Sequence, residues 1–360
     1  MARLPLPAEP RHVCLLRLSA IGDVTHVLPI VHSLRRGWPD TRLTWIVGAT
    51  EAKLVGDLPD VEFIEFDKSG GLAAWRDLRR RVTGRRFDLL LHMQVAMRAN
   101  LVSTAVRAGI RLGYDRSRSR DLHGLFINHR IPERSGQHVV DCFFSFLETA
   151  GLNERIEDWS LPIPDEAREF AREQLPGDRR TLLISPCASH PLRNWRPEHY
   201  AAVADHAASE HDFRIVLVGG PSRLERATGD AIAARMRTPP LDLIGRDTLK
   251  RLLALLERAD VLLSPDSGPA HMATCVDTPV LGLYAASNVW RSGPYRSRRW
   301  CIDRYDQAAR RFLGHPAAEL PWGTKIERPG VMDLISPDAV IERLDALVCE
   351  RLEDGAQASP

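Results

Sequence analysis

Short apolar runs alternate with stretches of helical periodicity along most of the chain. The first run, HVCLLRLS (12–19), is apolar almost throughout, which is typical of a strand buried on both faces of a parallel sheet. Helical spacing follows, and Pro29 within that stripe predicts either a kink or the start of the regular helix. This alternation predicts a parallel, doubly wound α/β sheet. Further strands of this half are predicted at LTWIVG (43–48), VEFIEF (61–66) and FDLLLHM (87–93).

The pattern breaks and then restarts in the second half of the chain. The segment 152–170 is polar and carries two prolines, which predicts a linker that leads into a helix. A second set of apolar runs then predicts a second α/β domain. In such sheets ligands bind at the carboxyl ends of strands, so functional residues are expected just after each run. The second set is TLLISP (181–186), RIVLVGG (214–220), LDLIG (241–245), DVLLSP (260–265) and PVLGLYA (279–285).

The end of the chain predicts a further helix over 335–352. Ser336 can cap it, and Pro337 suits its first position. The remaining residues, 353–360, predict a disordered tail.

Composition is typical of a soluble globular protein, with 44% hydrophobic and 27% charged residues. No run of about 18 apolar residues predicts a membrane span, and the N-terminus lacks the apolar region of a signal peptide. The six cysteines are widely spaced and form no CxxC pair. This usage favours reduced thiols in the cytoplasm over a zinc site or a disulfide framework.

The formal net charge of +2 conceals a basic region between residues 68 and 136, which has fifteen Lys or Arg against five Asp or Glu. Its densest parts are WRDLRRRVTGRR (75–86) and RLGYDRSRSRDLHG (111–124). A solvated helix face and a surface loop would account for both. Alternatively, the arginines serve a polyanionic partner such as nucleic acid, acidic lipid or a phosphorylated sugar, since the guanidinium binds phosphate and carboxylate in bidentate fashion.

Asp23 follows the first predicted strand, in the stretch RLSAIGDVTHVLP (17–29). Gly22 beside it allows positive φ or the close approach of a ligand. Asp23 fits two roles, a helix N-cap or a general base. These roles compete, because hydrogen bonds from a helix lower the pKa of a carboxylate and weaken it as a base.

Two further strand ends carry polar groups whose role the residues alone leave open. Ser189 and Arg193, in SPCASHPLRNW (185–195), offer a hydroxyl and a permanent cation that together suit a diphosphate, or they belong to an ordinary exposed loop. Gly219 and Gly220 end another strand, as at a turn where backbone approaches a nucleotide. Glu225, just beyond, either reaches a ribose hydroxyl or is an exposed helical carboxylate.

The stretch SPDSGPAHMA (264–273) is the most informative. Asp266, Ser267 and Gly268 stand between a strand and a helix, an arrangement that points free N–H groups outward and favours an anion. His271 is expected one turn into that helix, near the same opening. Packing alone does not explain so many small polar groups at one junction.

Taken in order, RLSAIGDVTHVLP, CASHPLRNW (187–195), GGPSRLERA (219–227) and SPDSGPAHMATCVDTPVLGLY (264–284), followed by RSGPY (291–295), resemble the motifs of glycosyltransferase family nine, the ADP-heptose:lipopolysaccharide heptosyltransferases. The resemblance covers roughly residues 12–350. LHMQVAMRAN (91–100) is most similar to the heptosyltransferase I branch, which adds the first heptose to Kdo.

This resemblance implies a GT-B fold, with two Rossmann-like parallel-sheet domains that face each other across a cleft. Residues 1–160 would form the N-terminal domain, which binds the acceptor. Residues 161–334 would form the C-terminal domain, which binds the nucleotide sugar. The helix at 335–352 would pack back on the N-terminal domain.

The resemblance also assigns roles at the matching positions. Asp23 would be the catalytic base of an inverting transfer, its carboxylate not tightly bonded to its own helix and facing the cleft toward Arg193 and Asp266. The donor would contact Ser189, Arg193, Glu225, Asp266, Ser267, Gly268 and His271. Gly22, Arg98, Arg116, Arg118 and Arg120 are the expected contacts of an anionic, lipid-linked Kdo acceptor at the cytoplasmic face of the inner membrane.

Two positions depart from the family pattern. Position 193 holds Arg where Lys is common, which keeps the charge and changes the geometry. Arg223 stands about where an acidic residue is usual after the GGP turn, and Glu225 comes two positions later, which puts the ribose contact in question. No DxD pair stands at a strand end, in agreement with a reaction that needs neither metal nor cofactor beyond the nucleotide-sugar substrate.

Three alternatives remain open from the sequence. The chain could use another nucleotide sugar or acceptor. It could be a GT-B sugar-nucleotide epimerase or hydrolase, although the arginine-rich half argues for an anionic acceptor. It could also be a non-catalytic nucleotide- or nucleic-acid-binding protein, but single-strand binding needs interleaved aromatic residues. Those are sparse between residues 76 and 136, where only Phe87, Tyr114 and Phe126 occur.

Overall fold

The computed structural model describes residues 4–353, without the side chains of residues 352 and 353. The described chain divides after residue 162 into two compact units. The sequence predicts this boundary at 160/161. In the described part no helix is both long enough and apolar enough to cross a membrane. The predicted disordered tail, apart from its first residue, lies outside the described residues.

The first unit contains a six-stranded parallel sheet in the order β3-β2-β1-β4-β5-β6. β1 is central and pairs with both β2 and β4, which explains why its sequence is apolar on both faces. The strands are β1 (His12–Leu16), β2 (Arg42–Gly48), β3 (Val61–Phe66), β4 (Phe87–His92), β5 (Ala108–Gly113) and β6 (His129–Arg130). The helices are α1 (Ile21–Thr25), α2 (Leu28–Gly37), α3 (Ala49–Val55), α4 (Gly71–Val82), α5 (Met97–Ser103) and α6 (Val139–Ala150).

The second unit repeats the plan with a six-stranded parallel sheet in the order β12-β11-β10-β7-β8-β9. The strands are β7 (Thr181–Ile184), β8 (Arg214–Leu217), β9 (Leu241–Asp242), β10 (Val261–Pro265), β11 (Val280–Tyr284) and β12 (Ile302–Asp303). The helices are α7 (Asp165–Gln174), α8 (Pro197–His211), α9 (Arg223–Ala233), α10 (Leu249–Arg258), α11 (Gly268–Met272), α12 (Val289–Ser292), α13 (Tyr305–Leu313) and α14 (Pro337–Leu347). The predicted pair of parallel α/β sheets is therefore confirmed.

Pro29 marks a helix start rather than a kink. The apolar stripe after β1 is divided into the five-residue α1 and the ten-residue α2, and Pro29 lies in the first turn of α2, where its missing N–H costs nothing. The division leaves α1 as a separate short helix directly after β1.

The helix α14 begins as predicted, with Ser336 accepting a hydrogen bond from the N–H of Ala339 and Pro337 in the first turn. Its buried side chains, Val340, Leu344 and Leu347, belong to the core of the second unit, where α14 packs on α8 and the sheet. That this helix also packs back on the N-terminal domain stays a prediction of the resemblance.

Three strands were not predicted, β5, β6 and β12. β5 includes the start of the arginine-rich stretch 111–124, which is therefore not wholly a surface loop. Arg111 lies within β5, and its guanidinium donates to the carbonyls of Ser103, Val106 and Phe126 at 2.7–2.9 Å. The basic residue is accommodated in the fold because its donors are satisfied by backbone.

Candidate active site

Asp23 lies in α1, at the carboxyl edge of the first sheet. Its Oδ2 is 2.5 Å from Nη2 of Arg17 and accepts a hydrogen bond of 3.0 Å from the N–H of Ala20. The Asp23 side chain is 36% exposed, whereas that of Arg17 is buried. The carboxylate is therefore held by one inner cation and is still accessible to a solute.

The structure corrects one of the two roles that the sequence offered for Asp23, the helix N-cap, and leaves the general base as a prediction. Ala20, not Asp23, is the N-cap residue, and Asp23 reaches back from the third helical position to the Ala20 N–H. The expectation that the Asp23 carboxylate would not be bonded to the backbone of its own helix is therefore wrong. A carboxylate has about four acceptor positions, so one backbone bond orients Asp23 without using up its capacity to accept a proton.

The groups around Asp23 come from the ends of β1 and β4. Arg17 donates to the carbonyl of Met93 at 2.6 Å, and the Leu18 N–H donates to Oε1 of Gln94 at 2.7 Å. Burial alone would lower the pKa of Arg17, but the charge of Asp23, its hydrogen bond to Arg17 and other nearby groups together outweigh burial and raise that pKa, so the guanidinium stays positive. Gly22 lies inside α1 without positive φ, so that of the two uses the sequence offered, only the close approach of a ligand stays a prediction.

In the second unit, Asp266 lies at the end of β10 and is surrounded by cations. Its carboxylate oxygens are 3.4 Å from Nε2 of His271, 3.5 Å from Nζ of Lys325 and 3.9 Å from Nη1 of Arg193. The Asp266 side chain is only 9% exposed. The sequence predicted three members of this group and missed Lys325.

The charge of Asp266 is fixed by these neighbours. Burial would raise the pKa of this carboxyl, but the hydrogen bond from His271 and the positive charge of Lys325 outweigh burial and hold the pKa well below its usual range. Asp266 is consequently an anion at any physiological pH and acts as a fixed anchor for the cations around it.

Arg193 connects this cluster to the loop after β7. Its Nη2 donates to Oγ of Ser189 at 2.8 Å, and its Nε lies 3.3 Å from Oε1 of Glu327. The structure thus brings Ser189, Arg193, Asp266 and His271 together as predicted and adds Glu327 to them. Arg193 is mostly buried and held from three sides, so its guanidinium has a defined orientation.

Lys325 and Glu327 reach the site from an irregular segment that the sequence gave no reason to single out. This segment crosses the end of β11, where the Ile326 N–H donates to the carbonyl of Ala286 at 2.8 Å. Ile326 is buried in the core, so the two charged residues on either side of it are directed outward. The only sequence pattern that points to Lys325 and Glu327 is the alternation Lys-Ile-Glu, in which two charged residues flank one buried apolar residue.

Ser267 and Gly268 stand where the strand meets the helix, as predicted. Ser267 is the N-cap residue of α11 by backbone position, but its hydroxyl pairs with that of Ser264 at 2.7 Å instead of capping the helix. Gly268 is the first residue of α11. Both therefore lie beside Asp266 on the same edge of the sheet.

Glu225 serves the turn after β8. Its Oε1 accepts from the N–H of Gly220 at 2.8 Å, its Oε2 from the hydroxyl of Ser222 at 2.6 Å, and the Ser222 hydroxyl in turn accepts from the Glu225 N–H. This group is a variant of the capping box, in which Glu225 accepts from the Ser222 hydroxyl and the Gly220 N–H, and it fixes the start of α9. Both carboxylate oxygens of the predicted ribose contact thus already have local partners.

The four arginines that were predicted to contact the acceptor differ in their exposure to solvent. Arg98, Arg116 and Arg120 are exposed, but Arg118 is buried and corrects the prediction. Arg118 pairs with Asp115 and donates to Gln137 and to the carbonyl of Pro132 at 2.8 and 3.0 Å. A guanidinium used in this way holds the loop after β5 together and is not presented to a ligand.

Comparison with known proteins identifies the family. The model of glycosyltransferase family 9 (heptosyltransferase) matches residues 75–320. The lipopolysaccharide core heptosyltransferase OpsX of Haemophilus influenzae is 37% identical over 345 residues, which cover 96% of this chain and 99% of that protein. The chain belongs to glycosyltransferase family 9.

Solved structures support the fold of this glycosyltransferase. A family 9 glycosyltransferase from Veillonella parvula has a TM-score of 0.79 at 22% identity and covers 94% of this chain and 98% of its own. The E. coli heptosyltransferase WaaC with ADP has a TM-score of 0.69 at 17% identity, with 93% and 99% covered. The GT-B fold that the resemblance implied is therefore confirmed for this family 9 enzyme.

Proposed function

We propose that this glycosyltransferase transfers heptose from ADP-heptose to the Kdo of the lipopolysaccharide inner core, with inversion and without a metal ion. The observation that carries the proposal is the cluster of Arg193, His271 and Lys325 around the buried Asp266, with Asp23 as an accessible carboxylate in the other unit. Two names support the substrates: a lipopolysaccharide core heptosyltransferase at 37% identity and a heptosyltransferase with ADP among the structures of the same fold.

Arg193 and Lys325 suit the diphosphate of the donor. Asp266 orients both cations and Glu327 also holds Arg193, so that two carboxylates fix the positions of the two cations. As the sugar departs, negative charge grows on the ADP. Pre-oriented cations and hydroxyls such as Ser189 stabilise that charge by about 3 kcal/mol each where they touch it. These groups supply the positive charge that a metal ion supplies in other transferases.

Asp23 is the proposed base. It accepts the proton of an acceptor hydroxyl as that oxygen attacks the anomeric carbon, and the bond from the anomeric carbon to the ADP oxygen breaks on the opposite side. Arg17 and the Ala20 N–H hold Oδ2, which fixes the direction of the carboxylate. This geometry gives Asp23 the orientation that a base needs.

The first unit also presents a surface suited to an anionic membrane. Leu72, Leu101, Leu122 and Leu125 are exposed. The Trp75 indole donates to the Leu101 carbonyl, which joins α4 to α5. We group these four leucines with Arg98, Arg116 and Arg120 and call the group the leucine–arginine face. Apolar insertion and attraction of about 1 kcal/mol per arginine would hold the enzyme at the cytoplasmic face of the inner membrane, where a lipid-linked acceptor is found.

The reaction is tested by measuring ADP release from ADP-heptose with and without Kdo–lipid A, together with calorimetry of ADP, UDP, GDP and CDP. The proposal expects selective ADP binding and release that depends on the acceptor. ADP release at the same rate without acceptor would favour a hydrolase, and preference for another nucleotide would overturn the donor assignment.

The leucine–arginine face is tested by sedimentation with anionic and neutral vesicles. The double variant L122S/L125S should bind anionic vesicles at least several-fold more weakly, while it keeps its turnover on an acceptor without acyl chains. Leu224, an exposed leucine of the second unit, provides the control variant L224S, which should bind as the wild type does. Equal binding of all three proteins would exclude this face.

A further inference from the structure

A histidine pair and a carboxylate meet where α14 packs on α8, away from every group used above. His206 and His211, both on α8, each place Nε2 2.7 Å from the same oxygen, Oδ1 of Asp345 on α14. In the described part of the chain this is the one group of three His, Cys, Asp or Glu side chains close enough to share a metal ion, with ligand atoms within 4.8 Å of one another. We propose that these three side chains bind a divalent transition-metal ion of the zinc type.

The arrangement of the donor atoms suits such an ion. Two atoms that bind one zinc ion at about 2.0–2.1 Å lie about 3 to 3.4 Å apart. The observed separation of 2.7 Å from each Nε2 to Oδ1 therefore needs only small side-chain rotations to open to that value. Neutral imidazole nitrogen and carboxylate oxygen are ligands that zinc accepts readily, and both rings present the same nitrogen.

The surroundings favour a site that is held in place but open to solvent. The two histidine side chains are about one-fifth exposed and Asp345 somewhat more, so water can complete the coordination. The neighbouring side chains of both helices, Ala207 on α8 and Leu344 on α14, are fully buried. The backbone that carries the ligands is thus fixed by core packing, and only the ligand side chains need to adjust.

The site is separate from the chemistry. α8 begins after the loop of Arg193 and ends three residues before β8, so it runs from the carboxyl edge of the sheet to the amino edge. At 1.5 Å per residue its two ends are roughly 20 Å apart, and His211 lies at the end remote from Arg193. The metal ion would cross-link α14, near the end of the described chain, to the body of the second unit, and would leave the proposed metal-free transfer untouched.

Cobalt binding tests the site directly. Tag-free protein that has been treated with chelator is titrated with Co²⁺, followed in the visible d–d bands, and then with Zn²⁺ in competition. We expect one ion per chain, a zinc-induced rise in Tm of several degrees, and unchanged ADP affinity. Fewer than about 0.2 ions per chain in the wild type would overturn the proposal.

Variants separate coordination from a simple hydrogen-bonded clip. D345N keeps an oxygen acceptor for both histidines but is a poorer ligand, so it should fold normally and bind Co²⁺ at least tenfold more weakly. H211Q should bind Co²⁺ about 100-fold more weakly than the wild type does. H315Q is the matched control, because His315 and Glu319 form an exposed pair, four residues apart in sequence and 3.4 Å apart in space. Metal affinity that is unchanged in D345N and H211Q, or lost equally in H315Q, would contradict the site.

Discussion

The two units place a carboxylate in nearly the same setting and surround it differently. Asp23 and Asp266 each follow a central strand of a parallel sheet, and Asp23 lies inside the five-residue helix α1 whereas Asp266 lies two residues before the five-residue helix α11. Asp23 accepts from an arginine and an N–H on the same oxygen and is 36% exposed, whereas Asp266 is almost fully buried beside Arg193, Lys325 and His271. The same local motif therefore supports different roles: an accessible group that can exchange a proton, and a fixed anion that orients cations.

The substitution that tests this contrast most strongly is D23N. Asparagine keeps an oxygen that can accept the Ala20 N–H, so the fold and ADP affinity should be retained. Loss of the proton acceptor should lower kcat by about 10²- to 10⁴-fold, measured as acceptor-dependent ADP release. D77N, at an exposed aspartate of the same unit that pairs with Arg80, is the control. If D23N turns over near the wild-type rate, Asp23 is not the base.

The other side of the comparison is tested at Arg193, the cation that Asp266 orients. R193A should weaken ADP binding and lower kcat/KM by about 10²-fold, because a pre-oriented donor to the leaving group is lost. R193K should recover part of this loss, since it restores charge without the bidentate geometry. R296A, at a surface arginine paired with Asp277, provides the control for calorimetry. Unchanged ADP affinity in R193A would remove this cluster from the donor site.

The sequence predicted most of the sheet strands because buried parallel strands are continuous apolar runs. It missed β5, where Gly109, Arg111 and Gly113 interrupt the run; the strand forms because Arg111 satisfies nearby carbonyls and β4 supplies the pairing. These are tertiary contacts that a local pattern does not contain.

The sequence predicted correctly which polar side chains lie together where these residues follow strands. Ser189, Arg193, Asp266 and His271 were predicted to serve one donor site and do lie together, as parallel topology requires. Lys325 was missed because it lies in an irregular segment that only tertiary packing of Ile326 brings to β11. Arg118 was misassigned because a run of arginines does not show which member finds a buried carboxylate.

A third carboxylate, Asp247, sharpens the role of the cations around Asp266. Asp247 follows β9, and its buried Oδ2 has no hydrogen-bond partner among the described residues. Burial raises the pKa of Asp247 to about 7, and the nearby charge of Glu225 adds to the increase. Burial raises the pKa of Asp247 because no cation in the described part of the chain offsets it. At Asp266 the neighbouring cations outweigh burial, and the pKa is lowered.

This difference predicts a pH-dependent stability. The folded state holds a proton on Asp247 that the unfolded chain releases near the ordinary pKa of an aspartate. The contribution of this proton to the free energy of unfolding is therefore present below about pH 4 and is lost as the pH rises to about 7. D247N, which is neutral throughout, should exceed the wild type in free energy of unfolding by about 4 kcal/mol at pH 8 and match it at pH 4. Denaturant unfolding at the two pH values measures this. An equal difference at both pH values would show that Asp247 does not titrate in this range.

The smallest expected effect concerns Glu225, the predicted donor contact that the structure uses to cap α9. E225A and S222A each remove one partner of the capping box and should lower the free energy of unfolding by about 1 kcal/mol. If Glu225 serves the turn alone, the two variants should also agree in ADP affinity to within about twofold. Calorimetry decides, because Ser222 shares the capping role but was never predicted to touch the nucleotide. A loss of ADP affinity in E225A that S222A does not share would restore Glu225 to the donor site. It would also show that the Glu225 carboxylate has two roles. It would hold neighbouring groups in place, as Asp266 does, and it would contact a reactant directly, as is proposed for Asp23.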